Sequence, residues 1–289
     1  MNNNHKFNNF LEKSKIGLPD QDIGCKYHYT TIKAVRGIVE DNNIWVSNAM
    51  FLNDKSEVKY ACNVIEETIR EDKDICNEVI EIIEEFINYI VERSDQIFVL
   101  STSSNIDSQL LWSNYSNMDG YCMGFNFSEV WEDLFIRSPG GEVMDLDYNK
   151  HIRVDKVIYD REKQREFIRE PLTKIDDYYR ENPAGDLTEF MHYFFHVLMM
   201  FKDPKFRHEE EFRIVFLLPE FEKFVDYYVS NGILIPYIQV NFKNKIPLEH
   251  IKIGPRNDID IARASIESFL KSKGFPEVEV SKSDIPLRF

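Results

Sequence analysis

The amino-acid sequence predicts an α+β fold built as one continuous domain. Short runs rich in β-branched and aromatic residues outnumber the regular strand–helix alternations of a doubly wound sheet. Between these runs, apolar residues recur at spacings of three and four, the period of an amphipathic helix. No Gly/Ser-rich or Pro-rich linker and no internal repeat interrupts the chain. We therefore expect a single domain over residues 25–289, preceded by an N-terminal extension over residues 1–24.

The predicted strands are short and follow the chain from near the N-terminus to its end. They lie at residues 27–30, 44–47, 97–101, 121–125, 154–159, 211–216, 232–240, 250–253 and 278–280. The first strand runs into a predicted helix over residues 32–39, which Thr30 or Thr31 can cap. Residues 41–43, Asp-Asn-Asn, end that helix before the second strand.

The remaining helices form two predicted helical insertions, at about residues 56–95 and about 160–203. The first contains one or two helices and is acidic, since residues 64–95 hold eleven Asp/Glu and three Lys/Arg. In the second, Pro171 is expected to divide the helical stretch over residues 161–180, and a strongly apolar helix over residues 189–201 follows. A C-terminal helix over residues 259–270 ends at Gly274, and residues between the third and fourth strands form a polar loop.

Composition limits the class of protein. Hydrophobic residues make up 43% of the 289 residues, which allows a sizeable core and excludes global disorder. The formal net charge of −15 argues against a generic basic nucleic-acid-binding protein. No run approaches the ~18 apolar residues of a membrane span, and the Asn-rich residues 1–10 lack the apolar region of a signal peptide. We expect a cytoplasmic protein with no membrane partner.

The cysteines do not predict a metal or disulfide framework. The four cysteines, at 25, 62, 76 and 122, show neither CxxC spacing nor a histidine at a zinc-finger offset. Free, buried thiols in a reducing cytosol are the simplest interpretation. Metal catalysis by His208 beside its acidic neighbours is disfavoured, so no metal is expected.

An acidic run, Glu209-Glu210-Glu211, precedes a predicted core strand. If the run is itself extended, Glu209 and Glu211 point to one face and Glu210 to the other. Two carboxylates on one face can hold a ribose hydroxyl and stabilise a developing oxocarbenium ion. From the pattern alone, a solvated charge run is the more common interpretation.

Other candidate residues have both a functional and a structural interpretation. His28 and Thr30 can hydrogen-bond a ribose or an amide, or they can be a half-buried strand histidine and a helix cap. Trp112 and Tyr115 can stack on a planar ring or fill the core. Turn formation alone explains the polar residues near Ser47 and residue 53. Familiar enzyme motifs, including GxGxxG after a strand, the P-loop, GxSxG and HExxH, are absent.

The order of these short motifs resembles the bacterial domain of unknown function 2971 family, over roughly residues 25 to 288. The motifs are Tyr27-His28-Tyr29-Thr30-Thr31, Ile44-Trp45-Val46-Ser47-Asn48, Leu52-Asn53-Asp54-x-x-Glu57, Phe98-Val99-Leu100-Ser101, Leu111-Trp112-x-x-Tyr115, Gly120-Tyr121-Cys122-Met123-Gly124-Phe125, Pro204-x-Phe206-x-x-Glu209-x-Glu211-Phe212-Arg213 and Ile251-x-Ile253-Gly254-Pro255.

That family looks like a distant branch of the ADP-ribosyltransferase fold. The resemblance implies split, twisted β-sheets that clasp NAD in a cleft. In such folds a first-strand His or Arg holds the NAD ribose, a middle-strand aromatic residue or Ser packs near the nicotinamide, and a late-strand Glu or Gln is catalytic. Carried onto this chain, His28 and Thr30 bind NAD, and Glu211 is catalytic with Glu209 in an E-x-E arrangement.

The resemblance also extends the NAD-binding set. Tyr29, Ser47 and Asn53 lie in the same motifs, so the resemblance implies that they also bind NAD. Tyr115 and Trp112 are both candidates for the aromatic residue that packs near the nicotinamide. The chain departs from the family at residue 212, where Phe replaces the more usual Trp, and in the loop at residues 101–111.

The resemblance implies an NAD-dependent mono-ADP-ribosyltransferase, which we expect to be a toxin-like effector of bacterial defence or a toxin–antitoxin system. Its acceptor is expected to be a nucleic acid or a protein, and an antitoxin or other inhibitory partner is expected for a toxin. The alternatives are an NAD glycohydrolase and a non-catalytic NAD-sensing module. We expect Glu211→Gln to abolish turnover with little change in melting temperature.

Overall fold

The computed structural model describes residues 23–52, 57–72, 74–128, 130–218, 222–230 and 232–286. Its strands are β1 (Cys25–Thr30), β2 (Asn43–Asn48), β3 (Ile97–Ser103), β4 (Tyr121–Asn126), β5 (Leu134–Arg137), β6 (Val143–Asp145), β7 (Ile152–Lys156), β8 (Glu211–Leu217), β9 (Val225–Ser230), β10 (Ile233–Phe242), β11 (Leu248–Ile253) and β12 (Glu279–Lys282). Its α-helices are α1 (Ile32–Asp41), α2 (Glu57–Glu71), α3 (Asn77–Glu92), α4 (Gln109–Ser116), α5 (Tyr148–His151), α6 (Arg161–Glu181), α7 (Thr188–Met200) and α8 (Ile259–Ser272).

The strands form one hydrogen-bonded, almost entirely antiparallel sheet. Its main path runs β12-β11-β4-β1-β3-β2-β10-β5-β6, while β8 joins β3 to β7 and β9 pairs with β10. Among the described strands, the parallel pair is β11 with β12, and α8 makes the crossover between them. The predicted α+β class is confirmed.

Strand β3 is where the sheet divides. Along one edge it pairs with β8 from end to end. Its other edge is shared, because β2 pairs with Phe98 and Val99 whereas β1 meets β3 at Ser103. Between these two pairings, over residues 100–102, no ladder partner lies on this edge among the described strands. The β1 and β2 parts of the sheet therefore separate there and leave a gap.

Each face of the sheet is covered by its own core, as the alternation of side chains along β3 and β8 requires. Phe98 and Leu100 point to the side of α1 and α8, where they join a cluster with Ile214 and Phe216. Residues 97, 99 and 215 point to the opposite side, into a cluster with helices α2, α3, α6 and α7. The two predicted helical insertions thus pack together as one layer on a single face of the sheet.

Helix α6 corrects one prediction. It runs unbroken from residue 161 to residue 181 with Pro171 inside it, and does not divide there. A proline removes one backbone hydrogen bond from a helix and strains the preceding turn. Here Ile168, Leu172 and Ile175 bury one face of α6 against the other helices of the layer, and this packing keeps the segment helical.

Several strand boundaries also differ from the prediction. The sequence did not predict β5, β6 or β9, which are short strands pairing with β10 or with each other. Strand β7 lies at residues 152–156, so it begins two residues and ends three residues before the predicted strand at 154–159. The predicted polar loop after β3 contains helix α4, and most of the predicted extension, residues 1–22, lies outside the described residues.

The predicted helix ends are confirmed where capping residues mark them. Thr31, not Thr30, caps α1 by accepting a hydrogen bond from the backbone N–H of Ala34. Asn42 follows α1 in the left-handed conformation, and Gly274 follows α8 with a φ of +82°.

Within the described ranges, no helix is both long enough and apolar enough to cross a bilayer.

Candidate functional site

A cavity of about 500 Å³ occupies the gap between the β1 and β2 parts of the sheet. This volume is within the range of small-molecule sites in proteins. Its floor is the part of β3 that lacks a partner on this edge, and the turn before β8 closes one side. The wall is formed by residues 27–31, 45, 47, 51, 52, 99–103, 111, 114, 115, 202, 209, 211, 228, 230 and 235.

Most of the sequence-predicted site residues lie in this one cavity. Those that line it are His28, Tyr29, Thr30, Ser47, Tyr115, Glu209 and Glu211. They come from β1, β2, α4 and the turn into β8, which are far apart in the sequence. Asn53, which was also assigned to NAD binding, lies outside the described residues. Trp112 does not line the cavity.

The two acids reach the cavity by a different route from the predicted one. Residues Pro204–Glu209 form a 3-10 helix, Glu210 is left-handed with a φ of 46°, and β8 begins only at Glu211. The Ser103 hydroxyl donates to the backbone carbonyl of Glu209 at 2.7 Å and fixes the turn to β3. Strand alternation therefore does not explain why Glu209 and Glu211 face the same way. Both are buried, so the interpretation as a solvated charge run is also wrong.

A buried lysine joins the two acids. The Lys202 ammonium lies 2.7 Å from Glu209 and 2.9 Å from Glu211. Arg213 lies on the same strand as Glu211. It donates two hydrogen bonds to the Glu211 carboxylate, through Nε at 2.9 Å and through a terminal nitrogen at 3.1 Å. The two cations therefore balance the two carboxylates in a region from which water is largely excluded.

The charges around Glu211 determine its ionisation. Burial alone raises the pKa of this carboxyl, but the charges of Arg213 and Lys202 and the hydrogen bonds from Arg213 and the Ser101 side chain outweigh it. The pKa of Glu211 is held at about 2. Glu211 is therefore ionised across the physiological pH range.

His28 lies on β1 beside the unpaired part of β3. Its Nδ1 is 3.3 Å from the backbone carbonyl of Ser101. Burial lowers the pKa of His28, with this hydrogen bond acting in the opposite direction, so the ring is neutral at pH 7. When Nδ1–H donates to the carbonyl, Nε2 becomes a hydrogen-bond acceptor. Ser101 thus stands between His28 on one neighbouring strand and Glu211 on the other.

Tyr115 and Trp112, the two aromatic residues that the sequence left as alternatives, both lie on α4 but have different surroundings. Tyr115 is 37% exposed, and its hydroxyl donates a hydrogen bond to the Glu209 carboxylate at 3.3 Å. Trp112 has no exposed surface, and its indole N–H donates to Asp107 at 2.7 Å. Trp112 therefore fills the core, as one of the two sequence interpretations proposed, and its assignment to ligand binding is wrong because the indole is inaccessible.

Tyr29 has a largely structural setting although it borders the cavity. Its ring meets Trp112 edge-on at 4.8 Å, and its hydroxyl donates to the Asn105 carbonyl at 2.8 Å. The same hydroxyl accepts from the backbone N–H of Ser108 at 2.9 Å. Tyr29 thus attaches the loop between β3 and α4 to β1.

The opposite wall of the cavity is aromatic. Trp45 is 48% exposed and stacks on Tyr237 with ring centroids 4.3 Å apart. Tyr228 packs against both rings, and its hydroxyl lies 3.1 Å from the Ser47 hydroxyl. An exposed indole face beside a polar floor is suited to stacking on a planar ring.

Sequence reasoning did not assign three of these residues to the site. In the sequence, Ser101 is the last residue of a strand motif and Trp45 is one residue of another, so neither position is marked as a ligand contact. Lys202 lies between the apolar helix α7 and the 3-10 helix, and no local pattern marks it. Its proximity to both acids arises because the chain reverses direction between residues 202 and 211. The Ser101-Thr102-Ser103 run of hydroxyl residues was the available signal for the cavity floor.

The comparisons with known proteins point to one family. Residues 111–214 match the model of a family described as "Protein of unknown function (DUF2971)". The match covers about a third of the chain, from α4 into β8, and supports the resemblance to that family. It includes Tyr115, Lys202, Glu209 and Glu211. No curated protein and no solved structure matches the chain.

Proposed function

We propose that the cavity binds NAD and that this protein is an NAD-dependent mono-ADP-ribosyltransferase. The observation that carries the proposal is the row His28, Ser101 and Glu211, which come from three adjacent strands at the place where the sheet divides. A histidine, a serine and a glutamate in this order are the residue types that an ADP-ribosyltransferase-like fold uses around NAD. We propose the same fold for the split sheet.

The proposed reaction breaks the bond between the nicotinamide nitrogen and C1′ of the ribose. The electron pair of that bond leaves with nicotinamide, which departs as a neutral molecule and needs no general acid. An oxocarbenium-like centre remains on the ribose, and Glu211 stabilises its positive charge by preorganised electrostatics. A nucleophile of the acceptor then forms a bond to C1′ and loses its proton.

The neighbouring residues have separate proposed roles. Neutral His28 accepts a hydrogen bond from a ribose hydroxyl through Nε2. Trp45 or Tyr115 packs against the nicotinamide ring. Glu209 receives one hydrogen bond from Tyr115 and one from Lys202 among the described residues, which leaves lone pairs for a ligand hydroxyl. Glu209 is therefore the acid that can meet a ligand without rearrangement.

Glu211 requires a small rearrangement. Arg213 and Lys202 donate three hydrogen bonds to it, and the Ser101 side chain donates a further one. A carboxylate has about four lone-pair positions, so these donors occupy its acceptor capacity. When a ribose hydroxyl binds, Ser101 or Lys202 moves away from Glu211.

The test is incubation of the full chain with NAD and a cell lysate. Nicotinamide release is measured by chromatography, and ADP-ribose is sought by mass spectrometry on separate RNA, DNA and protein fractions. The proposal expects nicotinamide release together with a modified macromolecule. His28→Gln and Glu211→Gln should each lower the release at least tenfold, while the exposed neighbour substitution Glu210→Gln should leave it unchanged.

Three results would redirect or refute the proposal. Nicotinamide release without a modified macromolecule indicates an NAD glycohydrolase. NAD binding by calorimetry without turnover in any fraction indicates a sensing module. Absence of NAD binding at millimolar concentration would refute the assignment of the cavity.

A further inference from the structure

A second cluster of chemically active side chains lies outside the cavity, on β1 and β11. A ligand atom of each of Cys25, Glu249 and His250 lies within 4.8 Å of the other two. Cys25 and His250 are half-buried and Glu249 is exposed, so the cluster is open to solvent on one side. None of the three lines the cavity described above. The cluster is therefore separate from the proposed NAD site.

Two irregularities of the sheet bring these side chains together. Leu248 pairs with Phe125 and His250 pairs with Gly124, so Glu249 is an extra residue in β11, a β-bulge. In a regular strand, Glu249 and His250 would point to opposite faces. The bulge breaks this alternation and lets both side chains approach Cys25.

The second irregularity is the glycine on the strand between them. β4 separates β1 from β11, and Gly124 is the β4 residue beneath the cluster. A Cβ on Gly124 would lie 2.9 Å from the Cys25 sulfur and 3.0 Å from Cβ of His250. Gly124 thus provides the space in which groups from β1 and β11 meet across an intervening strand.

Two of the three side chains are oriented by further hydrogen-bond partners. The Asn126 amide donates to Glu249 at 3.0 Å. Nδ1 of His250 lies 3.3 Å from the Glu279 carboxylate on β12. A carboxylate on one ring nitrogen fixes the tautomer and leaves the other nitrogen as a ligand, the usual arrangement at protein metal sites.

We propose that Cys25, Glu249 and His250 form a binding site for one divalent cation of the Zn²⁺ class. Thiolate, imidazole and carboxylate are the three ligand types that Zn²⁺ takes, and a mixed set with sulfur disfavours Mg²⁺ and Ca²⁺. Three protein ligands leave a fourth position for water or for a group from a partner. The bound ion links β1, which borders the NAD cavity, to β11.

Binding exchanges a proton for the metal. Cys25 coordinates a metal as the thiolate, so the thiol has to give up its proton. The S–H bond breaks, its electron pair forms the sulfur–metal bond, and the proton passes to solvent. No oxidant or reductant takes part.

The test titrates the full chain with Co²⁺ and with Zn²⁺, each as the metal alone. Co²⁺ bound to a thiolate gives a charge-transfer absorption that nitrogen and oxygen ligands do not give. We expect one Co²⁺ per chain with this absorption, displacement of Co²⁺ by Zn²⁺, and a higher melting temperature with Zn²⁺. Cys25→Ser should abolish the absorption, and His250→Gln should weaken binding at least tenfold.

The matched controls are Cys76→Ser and His208→Gln, which change the same residue types far from the cluster. Both should bind Co²⁺ as the unmodified chain does. The proposal is wrong if excess Co²⁺ produces no thiolate absorption, if Cys25→Ser retains it, or if Cys76→Ser loses it. Circular dichroism of each variant establishes that it is folded, and His250→Gln provides the second measurement because it keeps the thiol.

Discussion

At the scale of single residues, the central feature is that the proposed catalytic acid is also part of a buried ion network. Lys202 and Arg213 both contact Glu211, and all three side chains are buried. Removal of one member of such a group leaves the remaining charges without compensation, which costs far more than the loss of a surface ion pair. The sequence alone predicts that Glu211→Gln changes the melting temperature little. The buried network indicates instead that this substitution lowers the stability of the fold.

We predict that Glu211→Gln lowers nicotinamide release at least tenfold and also destabilises the fold by roughly 3–5 kcal/mol, because the buried Arg213 loses its carboxylate partner and Lys202 keeps only Glu209. Urea unfolding measures the stability and chromatography measures the release. Glu210→Gln, at the adjacent exposed position, should change both by little. An unchanged unfolding midpoint for Glu211→Gln would contradict the role of the network.

The two aromatic residues of α4 should respond differently to substitution. Tyr115→Phe keeps the ring and removes the hydrogen bond to Glu209, so stability should change by no more than about 1 kcal/mol while NAD affinity falls. Trp112→Ala removes a fully buried indole and should cost about 3–5 kcal/mol. Thermal melts and NAD calorimetry on both variants test this, and equal loss of stability would contradict it.

At the scale of elements, the turn from α4 into β4 determines how the helix meets the cavity. Asn117 and Met118 both have positive φ, and Gly120 then passes close to the end of β1. A Cβ on Gly120 would lie 2.4 Å from the Thr30 carbonyl and 2.4 Å from Cβ of Ser116. The glycine is required by this close approach of backbone to backbone.

We predict that Gly120→Ala destabilises the protein by about 1–3 kcal/mol, because α4 and β1 have to separate. The displacement moves Thr30 and Tyr115 relative to the acids, so NAD affinity should fall as well. Gly140→Ala is the matched control, since its Cβ would have nothing closer than the Ser138 hydroxyl at 3.7 Å. Equal unfolding midpoints for the two variants would disprove the steric argument.

At the scale of the whole molecule, the net charge of −15 is unevenly placed. Residues 64–95, which hold eleven acidic and three basic residues, lie in and around α2 and α3. No described residue of this segment lines the cavity. The acidity of the chain as a whole therefore does not argue against an anionic acceptor at the proposed NAD site.

The stability of the molecule should fall as the pH is lowered from neutral, in two stages. His28 has a folded-state pKa below 6.5, so the unfolded state takes up its proton first, and stability falls below that pH. Glu211 has a folded-state pKa of about 2 against 4.5, so its contribution is present above pH 4.5 and is lost as the pH falls toward 2.

Urea unfolding over a pH series measures both stages. His28→Gln should flatten the dependence just below pH 6.5, and Glu211→Gln should flatten it below pH 4.5. A pH dependence identical to that of the unmodified chain in both variants would contradict the assigned shifts.

Local sequence pattern accounts for part of the fold and for part of the cavity lining. Apolar periodicity and capping residues predicted α1, α8 and most strands, and an ordered set of short motifs identified seven of the residues that line the cavity. Local pattern also misled where tertiary packing dominated. Pro171 did not break α6, because burial of one helix face outweighed a lost hydrogen bond.

Features that depend on residues distant in the sequence arise only when the chain folds. The division of the sheet at β3 opens the cavity, and the reversal of the chain after α7 brings Lys202 to both acids. Likewise, a bulge in β11 and Gly124 in β4 bring His250 close to Cys25. Cys25 and His250 are too far apart in the sequence to match the spacing of a known metal-binding motif. The physical reason is the same in each case, since charge compensation and metal coordination act through space and leave no periodic signal along the chain.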